Sequence, residues 1–403
     1  MSRVSIGELV ASGVLQIGDG YRTKRSEHAQ HGYRIIRVAD VMEGAVSFTG
    51  PDFVSEKYAK AIGTKAGKPG DILLTTKGTV GRVAVLPDMD EQVVYSPQLC
   101  FFRVLDADIV DPRFFRYWFS SAEFWHQAAD RMNNTDMAAY INLADIRSLK
   151  LTVPDVSEQR FIAEVLGALD DKIAANAKLA STADVMATTQ FHKAVQGVAF
   201  SDQSFGDLAV VSGGGTPSTK VLEYWDGDIP WATPTDITPL RGPYLESTNR
   251  TISEAGLSTC ASPLYPAGSI LMTSRATIGA FAIAQTSMAV NQGFIVVQPI
   301  DPALNYWVFH EMRSRVDEFV SLANGATFLE LSRGNFKKFK VRLAAHDVME
   351  EFGHTAQNLH SVARNLLLEN AKLAEARDAL LPQLMSGKLR VRDAEKVLEN
   401  AGV

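Results

Sequence analysis

The sequence is short of cysteine, of long apolar runs and of surplus positive charge, and each shortage removes a class of function. The 403 residues hold 2 cysteines. Cys100 and Cys260 fall in different halves with no CxxC partner, so neither a disulfide framework nor a zinc knuckle is expected. Both read as small apolar core residues. The longest apolar stretches, such as 270–272 and 294–297, fall far short of the ~20 residues of a membrane-spanning helix. The opening MSRVSIGELV lacks a signal-peptide core, so a cytoplasmic protein with no membrane contact is expected.

The chain carries 40 Lys and Arg against 46 Asp and Glu, a net charge of -6. Strong nonspecific phosphate affinity needs clustered cations. Basic and acidic residues number 18 each through residue 153, then 4 against 6 in 154–200, 11 against 13 in 201–343 and 7 against 9 in 344–403. No segment is a basic tail, so contact with nucleic acid would rest on local faces or on a partner. With 46% hydrophobic and 21% charged residues the chain is an ordinary folded protein, long enough for two or more domains.

The sequence is written twice. GDILLTTKGTVG at 70–81 returns as GSILMTSRATIG at 268–279, an offset of 198. SPQLCFFRV at 96–104 resembles VNQGFIVVQ at 290–298, which sets Gln98 on Gln292 at an offset of 194. LKLTVPD at 149–155 falls on FKVRLAA at 339–345, offset 190, and NAKLA at 176–180 recurs at 370–374. The openings IGEL at 6–9 and FGDL at 205–208 also correspond.

Each repeat begins with about 150 residues of short strands, turns and helices. Strand-like runs at 33–38, 71–75, 82–86 and 99–104 are bounded by Gly, Pro and Asp, and a helix is predicted over 113–129. One long helix follows. In the first repeat Ser157, Glu158 and Gln159 offer a start. The apolar seam then runs through Ile162, Leu166, Leu169 and Ile173 toward Asn176 and Ala180. In the second, Phe352, Leu359, Leu366, Leu373 and Leu380 stand seven residues apart with Ala356, Ala363 and Asn370 among them, and the helix is expected to end before Pro382. The expected fold class is α+β: two similar mixed α/β domains, 1–153 and 201–343, separated by spacer helices at 154–200 and 344–390 that pair as an antiparallel intramolecular coiled coil, with a tail at 391–403. Asn176 and Asn370 fall at matching places on the seams, where they would either fix its register as a buried polar pair or stand solvated.

At roughly 1.5 Å per residue, a helix of about 35 to 40 residues spans roughly 50–60 Å. Such a rod suits a partner with two recognition segments at fixed separation, as duplex DNA has. The residue pattern leaves open a duplicated scaffold that binds protein instead.

The paired repeats, each closing in a stretch like PDVSEQRFIAEVLGALDDKI at 154–173, resemble the specificity subunits of type I restriction-modification systems. LLPQLMSGKLRV at 380–391 and the two strand-turn-strand segments strengthen the resemblance, which covers nearly the whole chain. It implies two target recognition domains, each reading half of an asymmetric bipartite sequence, and helices that dock two methyltransferase subunits. Restriction subunits that translocate and cut DNA would join. The chain itself would hold no cofactor, with S-adenosylmethionine, ATP and magnesium in the partners. One departure is AHDVMEEF at 345–352, which lacks the SEQ-like start of the first helix.

The TTKGTVG turn at 75–81 sets hydroxyls, a cation and two glycines in a tight loop, a pattern suited to phosphate, and its second copy keeps Thr273, Ser274, Arg275, Thr277 and Gly279. Base reading needs Arg or Lys on guanine and Asn or Gln on adenine. The candidate DNA-binding residues are Lys24 and Arg25 in a polar loop, Lys220 in its divergent counterpart, Lys77, Arg82 and Arg275 on the turns, Gln98, Asn291 and Gln292 at a second junction, and Asn133, Asn134, Asn324 and Arg333 before the last strand.

Catalytic patterns are absent. Pro154, Asp155, Asp170 and Lys172 spell a nuclease-like PD…DxK, but on a heptad helix rather than adjacent strands. GTKAGKPG at 63–70 is one residue short of a P-loop and has Pro69 where Ser or Thr would meet magnesium. No (N/D)PP(Y/F/W) tetrapeptide occurs, so methyl transfer would come from a partner. His28 and His31 lack further metal ligands nearby.

Overall fold

A computed structural model describes residues 2–132, 139–275, 277–323 and 330–389. The chain divides into two compact units, one of residues 1–171 with 373–403 and one of residues 172–372. Each combines a mixed α/β body with one part of both long helices.

In the first unit, Leu15–Asp19, Leu99–Val104, Ile72–Thr75 and Val83–Val85 form an antiparallel sheet in that spatial order. A second sheet joins Val93–Tyr95 in parallel to Tyr33–Ile36, followed by Phe53–Val54 and His28–Ala29. Strand Ser2–Ser5 pairs with Lys150–Val153, so the two ends of this segment are tied together. Between the sheets Asp71, fully buried, takes two hydrogen bonds of 2.7 Å from Arg103 and one of 2.8 Å from the Tyr95 hydroxyl. Removing either charged partner would strand the other, at a cost of about 3–5 kcal/mol.

The helix expected at 113–129 is two helices, Pro112–Trp118 and Ala122–Arg131. Ser121 interrupts it: its extended backbone and a side chain accepting from the Phe124 N–H make it an N-cap. The break lets Phe115, Trp118, Phe119 and Phe124 cluster, with Phe115 stacked on Trp118 at 5.8 Å and the other pairs edge-on at 5.1–5.2 Å between ring centroids.

The second unit repeats the plan. Ala209–Gly213, Phe294–Pro299, Ile270–Thr273, Phe281–Ala284 and Tyr244–Leu245 form one sheet, and Thr251–Ile252, Trp225–Ala232 and Ala289–Val290 another. The correspondence extends to single hydrogen bonds. Ile6 N–H donates to the Leu149 carbonyl as Phe205 N–H donates to that of Phe339. Ser5 with Glu8 and Ser204 with Asp207 form the same capping box.

The register corrects one offset. Leu99 lies opposite Thr75 and Phe294 opposite Thr273, so the central strands correspond at 195 rather than 194 and Gln98 matches Gly293, not Gln292. Backbone pairing decides this match, and the shared glutamine is a coincidence of side chains.

The long helices run Val156–Ala194 and His346–Met385. The first is capped by Asp155, whose carboxylate accepts from the Glu158 N–H at 3.0 Å, not by Ser157 two residues further in. The second continues past Pro382 to Met385, although proline removes one intrahelical bond. Leu380, Leu381 and Leu384 are buried on this last turn, and it closes at Gly387 with φ +68°. Cys100 is buried as expected, whereas Cys260 is only half-buried.

Within the second unit the helices are antiparallel: Asn370 Nδ2 donates to the Ile173 carbonyl at 2.9 Å, Asn176 Nδ2 to Glu369 at 2.8 Å, and Phe191 meets Phe352 with ring centroids 5.5 Å apart. Both asparagines are buried, and each bonds the opposite helix rather than the other asparagine. Ala180, Ala183 and Ala187 face this seam together with Phe352, Ala356, His360 and Ala363, while Ile173, Leu359 and Leu366 are half-buried beside it. In the first unit Ile162, Leu166, Leu169, Leu373 and Leu380 are buried, and Arg377 binds Asp170 at 2.8 Å. Among the described residues no helix is long and apolar enough to cross a membrane.

Candidate nucleic-acid interface

The strand-turn-strand segments place their exposed tips by the same device in both units. Thr75 and Thr273 are fully buried at strand ends. Each hydroxyl donates across the turn, to the carbonyls of Thr79 and Thr277, and accepts at 2.9 Å from the N–H of Arg82 or Ala280. These two hydroxyls, expected to suit phosphate, are consumed inside the turn. Gly81 (φ +101°) and Gly279 (φ +88°) need their left-handed backbone, and a Cβ there would stand 2.1 Å from Trp125 or 2.5 Å from Val316. The turns are thus locked onto the helices behind them.

Only the tips remain open. Lys77 is exposed and its backbone bridges Tyr140; Arg275, in the matching bridge to Glu330, also forms an ion pair with it at 2.8 Å. A ligand engaging Arg275 must compete with that carboxylate. Arg82 is half-buried with Nη1 3.4 Å from the Val41 carbonyl, so it points into its own domain.

A second junction abuts each turn. Thr76 N–H donates to the Gln98 carbonyl at 2.9 Å and Ser274 N–H to that of Gly293 at 2.8 Å, which leaves the Gln98 side chain exposed. Asn291 accepts from the Gly293 N–H at 2.8 Å, and exposed Gln292 takes a 2.6 Å bond from the Thr216 hydroxyl. Glycines bring the polar loops onto this junction: a Cβ at Gly20 would lie 2.1 Å from the Ser96 carbonyl, and one at Gly214 would lie 1.9 Å from that of Val290.

In the first unit the loop then exposes Lys24 and Arg25 on a short turn whose buried Glu27 accepts from the Lys24 N–H at 3.0 Å. Lys65, missed by the sequence reading, braces its base through Asp19 and the Gly20 carbonyl, both at 2.8 Å. In the second unit the loop is pinned by two indoles, Trp231 to the Gly215 carbonyl at 3.0 Å and Trp225 to that of Ser218 at 3.2 Å, with Lys220 exposed beyond them. Arg333 begins the helix Arg333–Lys337 and lies against Gly213. The fold therefore gathers Lys77 with Gln98 in one unit, and Arg275, Asn291, Gln292 and Arg333 in the other. Asn133, Asn134 and Asn324 lie outside the described residues.

The nuclease-like acids serve elsewhere. Asp155 caps a helix, and Asp170 accepts from Arg116, Tyr117 and Arg377. Burial pushes the Asp170 carboxyl up, but hydrogen bonds from Arg377 and Arg116 outweigh it and hold the group below the usual range. Lys172 pairs with Glu369 at 3.5 Å. Among the described residues no group of three or more His, Cys, Asp or Glu is placed to hold a metal ion.

The sequence model of the family described as type I restriction modification DNA specificity domain matches twice, over residues 8–182 and 200–375. The type I restriction enzyme MjaIX specificity subunit of Methanocaldococcus jannaschii is 37% identical over 137 residues, 34% of this chain and 32% of that protein. The HindI specificity subunit of Haemophilus influenzae is 24% identical over 190 residues, 46% of this chain and 41% of its own length. The aligned part thus spans well under half of each of these relatives. The crystal structure of a type I restriction-modification S subunit from M. genitalium shares the fold, with a TM-score of 0.58 at 15% identity over 95% of both chains.

Proposed function

Because the chain belongs to the family of type I restriction-modification DNA specificity subunits, we propose that it is the non-catalytic reader of an asymmetric, bipartite duplex target. The observation that carries this reading is the pair of identical backbone joints presenting different side chains: Lys24, Arg25, Lys77 and Gln98 in one unit, Lys220, Arg275, Asn291, Gln292 and Arg333 in the other. A shared frame with divergent tips is what two half-readers of unlike sequence require. Cations on the turns would position each domain on phosphates, and amide or guanidinium groups would meet base edges.

The net charge of -6 leaves little unspecific attraction to DNA. In this reading, two methyltransferase subunits docked on the helices supply the remaining phosphate contacts, S-adenosylmethionine and the methyl transfer, and restriction subunits with ATP and magnesium supply cleavage. The assembly would be cytoplasmic. The helices would measure the gap between half-sites.

Adding one heptad after Ala175 and another after Glu369 keeps the seam in phase and lengthens it by roughly 10 Å. At ~3.4 Å per base pair this is up to about three base pairs, less whatever the twist of the groove prevents. Sequencing of modified bases should show unchanged half-sites with a gap longer by roughly one to three base pairs. The original gap with altered half-sites would contradict the reading.

A further inference from the structure

The second unit contains an arginine–tryptophan stack that the sequence did not reveal. The Arg250 guanidinium lies flat over the Trp225 ring, 3.5 Å from its centroid, with Trp231 at 5.8 Å. The two indoles stand nearly perpendicular, 85° apart with centroids at 5.1 Å, and both are buried. Their N–H groups hold the loop carrying Thr216 and Lys220. Arg250 is exposed, and no carboxylate among the described residues pairs with it. Its backbone is fixed by its carbonyl, which accepts from Trp231 N–H at 3.0 Å and from the Thr248 hydroxyl at 2.7 Å.

The strand beneath is deformed. Trp225 and Ile229 both pair with Ile252, a bulge, and inside it Asp226 is the one non-glycine with positive φ among the described residues, at 59°. The bulge directs the Trp225 ring under Arg250. Stacking leaves the edge of a guanidinium free, so its fork of donors is held rigid before any ligand arrives.

We propose that Arg250 is a specificity-determining residue that reads a guanine, donating to O6 and N7 in the major groove of the half-site recognised by residues 201–343. The inference rests on the DNA-reading proposal. Lysine keeps the charge and can itself donate to guanine, but here it would lose the planar fork held over Trp225, so a phosphate contact would largely survive Arg250→Lys while the rigid two-bond contact with O6 and N7 would not.

The test uses the chain assembled with its methyltransferase partners and duplexes carrying the methylation motif of the host, with each guanine replaced in turn by 7-deazaguanine, which lacks the N7 acceptor. One guanine in that half-site should weaken the wild-type complex by about fivefold to a hundredfold when replaced. The same replacement should weaken R250K no further, because its affinity for the unmodified duplex is already reduced. Thermal melting of R250K checks folding, and the wild-type scan needs no variant. If wild type is specific but R250K responds to every probe as wild type does, or loses affinity for all duplexes alike, the assignment to Arg250 is overturned. A wild-type complex indifferent to all changes of that half-site would overturn the DNA-reading proposal itself.

Discussion

Replacing residues 201–343 with the equivalent domain of a relative is expected to change one half of the DNA target completely and leave the other half and the gap untouched. The reason lies in how each domain closes on itself. In the second unit Phe200–Ser204 pairs with Lys340–Arg342, so the segment starts and ends on adjacent strands. Its main core cluster, from Phe205 through Val341, is assembled from residues of this segment alone. Tyr244, Trp307 and His310 pack against the long helices and would need compatible residues in the exchanged domain. The exchange therefore carries a complete set of loops and leaves the Asn176 and Asn370 contacts between the helices in place. Modified-base sequencing of a host carrying the exchanged chain gives the motif directly. A motif changed in both halves would mean that the domains do not read independently.

The second large effect is on stability in acid. In the second unit His310 and His360 face each other, Nε2 to Nε2 at 2.9 Å, with His360 Nδ1 2.7 Å from the Tyr244 hydroxyl. Tyr306 stacks on His360, Phe191 covers His310, and the Asp184–Arg313 ion pair lies near both. Burial pushes His310 down to about 3, with His360 adding to the effect, and burial pushes His360 down to about 4. An unfolded histidine titrates near 6.5. Below that pH the unfolded chain takes up protons that the folded unit refuses, so stability is full above about 6.5 and falls as pH drops toward 4.

The loss should reach several kcal/mol, on the order of the 1.4 kcal/mol per unit that each depressed group implies. Asp184 contributes in a different window. Burial raises its carboxyl, but Arg313 outweighs that and lowers it, so its contribution is lost only below the ordinary carboxylate range near 4. Melting of the full chain between pH 7 and 4.5 should show a falling transition for this unit, flattened in a His310→Leu, His360→Leu double variant. A wild-type transition that does not move over this range would rule the histidine pair out as the cause.

These groups also show what the sequence could and could not convey. The repeat, the sheets and the long helices were legible because they depend on local apolar pattern and on a motif copied almost residue by residue. Ser121 carried a readable signal for the helix break, since a serine before Ala-Glu-Phe is a cap in waiting, but the flanking apolar run masked it. Asp155 likewise lost to Ser157 only because both are capping types.

The histidine pair was not legible: His310 and His360 are 50 residues apart, and the Leu359 to Leu366 spacing drew the seam one position away from His360. Arg250 has the same difficulty. It meets Trp225 only because a bulged strand brings residues 25 positions apart into stacking distance. The one hint was the pair of tryptophans around WDGDIPW at 225–231, whose glycine and two aspartates are poor strand formers. Gln292 and Arg333 were singled out as DNA-binding candidates by residue type, whereas their gathering around residues 213–216 depends on glycines whose close approaches no single sequence displays.

The central claim, that this chain supplies the sequence specificity of a methylating complex, is tested most directly by sequencing the modified bases of the host genome with and without its gene. The account predicts one asymmetric motif of two short half-sites around a fixed gap, methylated when the gene is present, absent when it is deleted and restored by complementation. A methylation pattern that deletion leaves unchanged would contradict it.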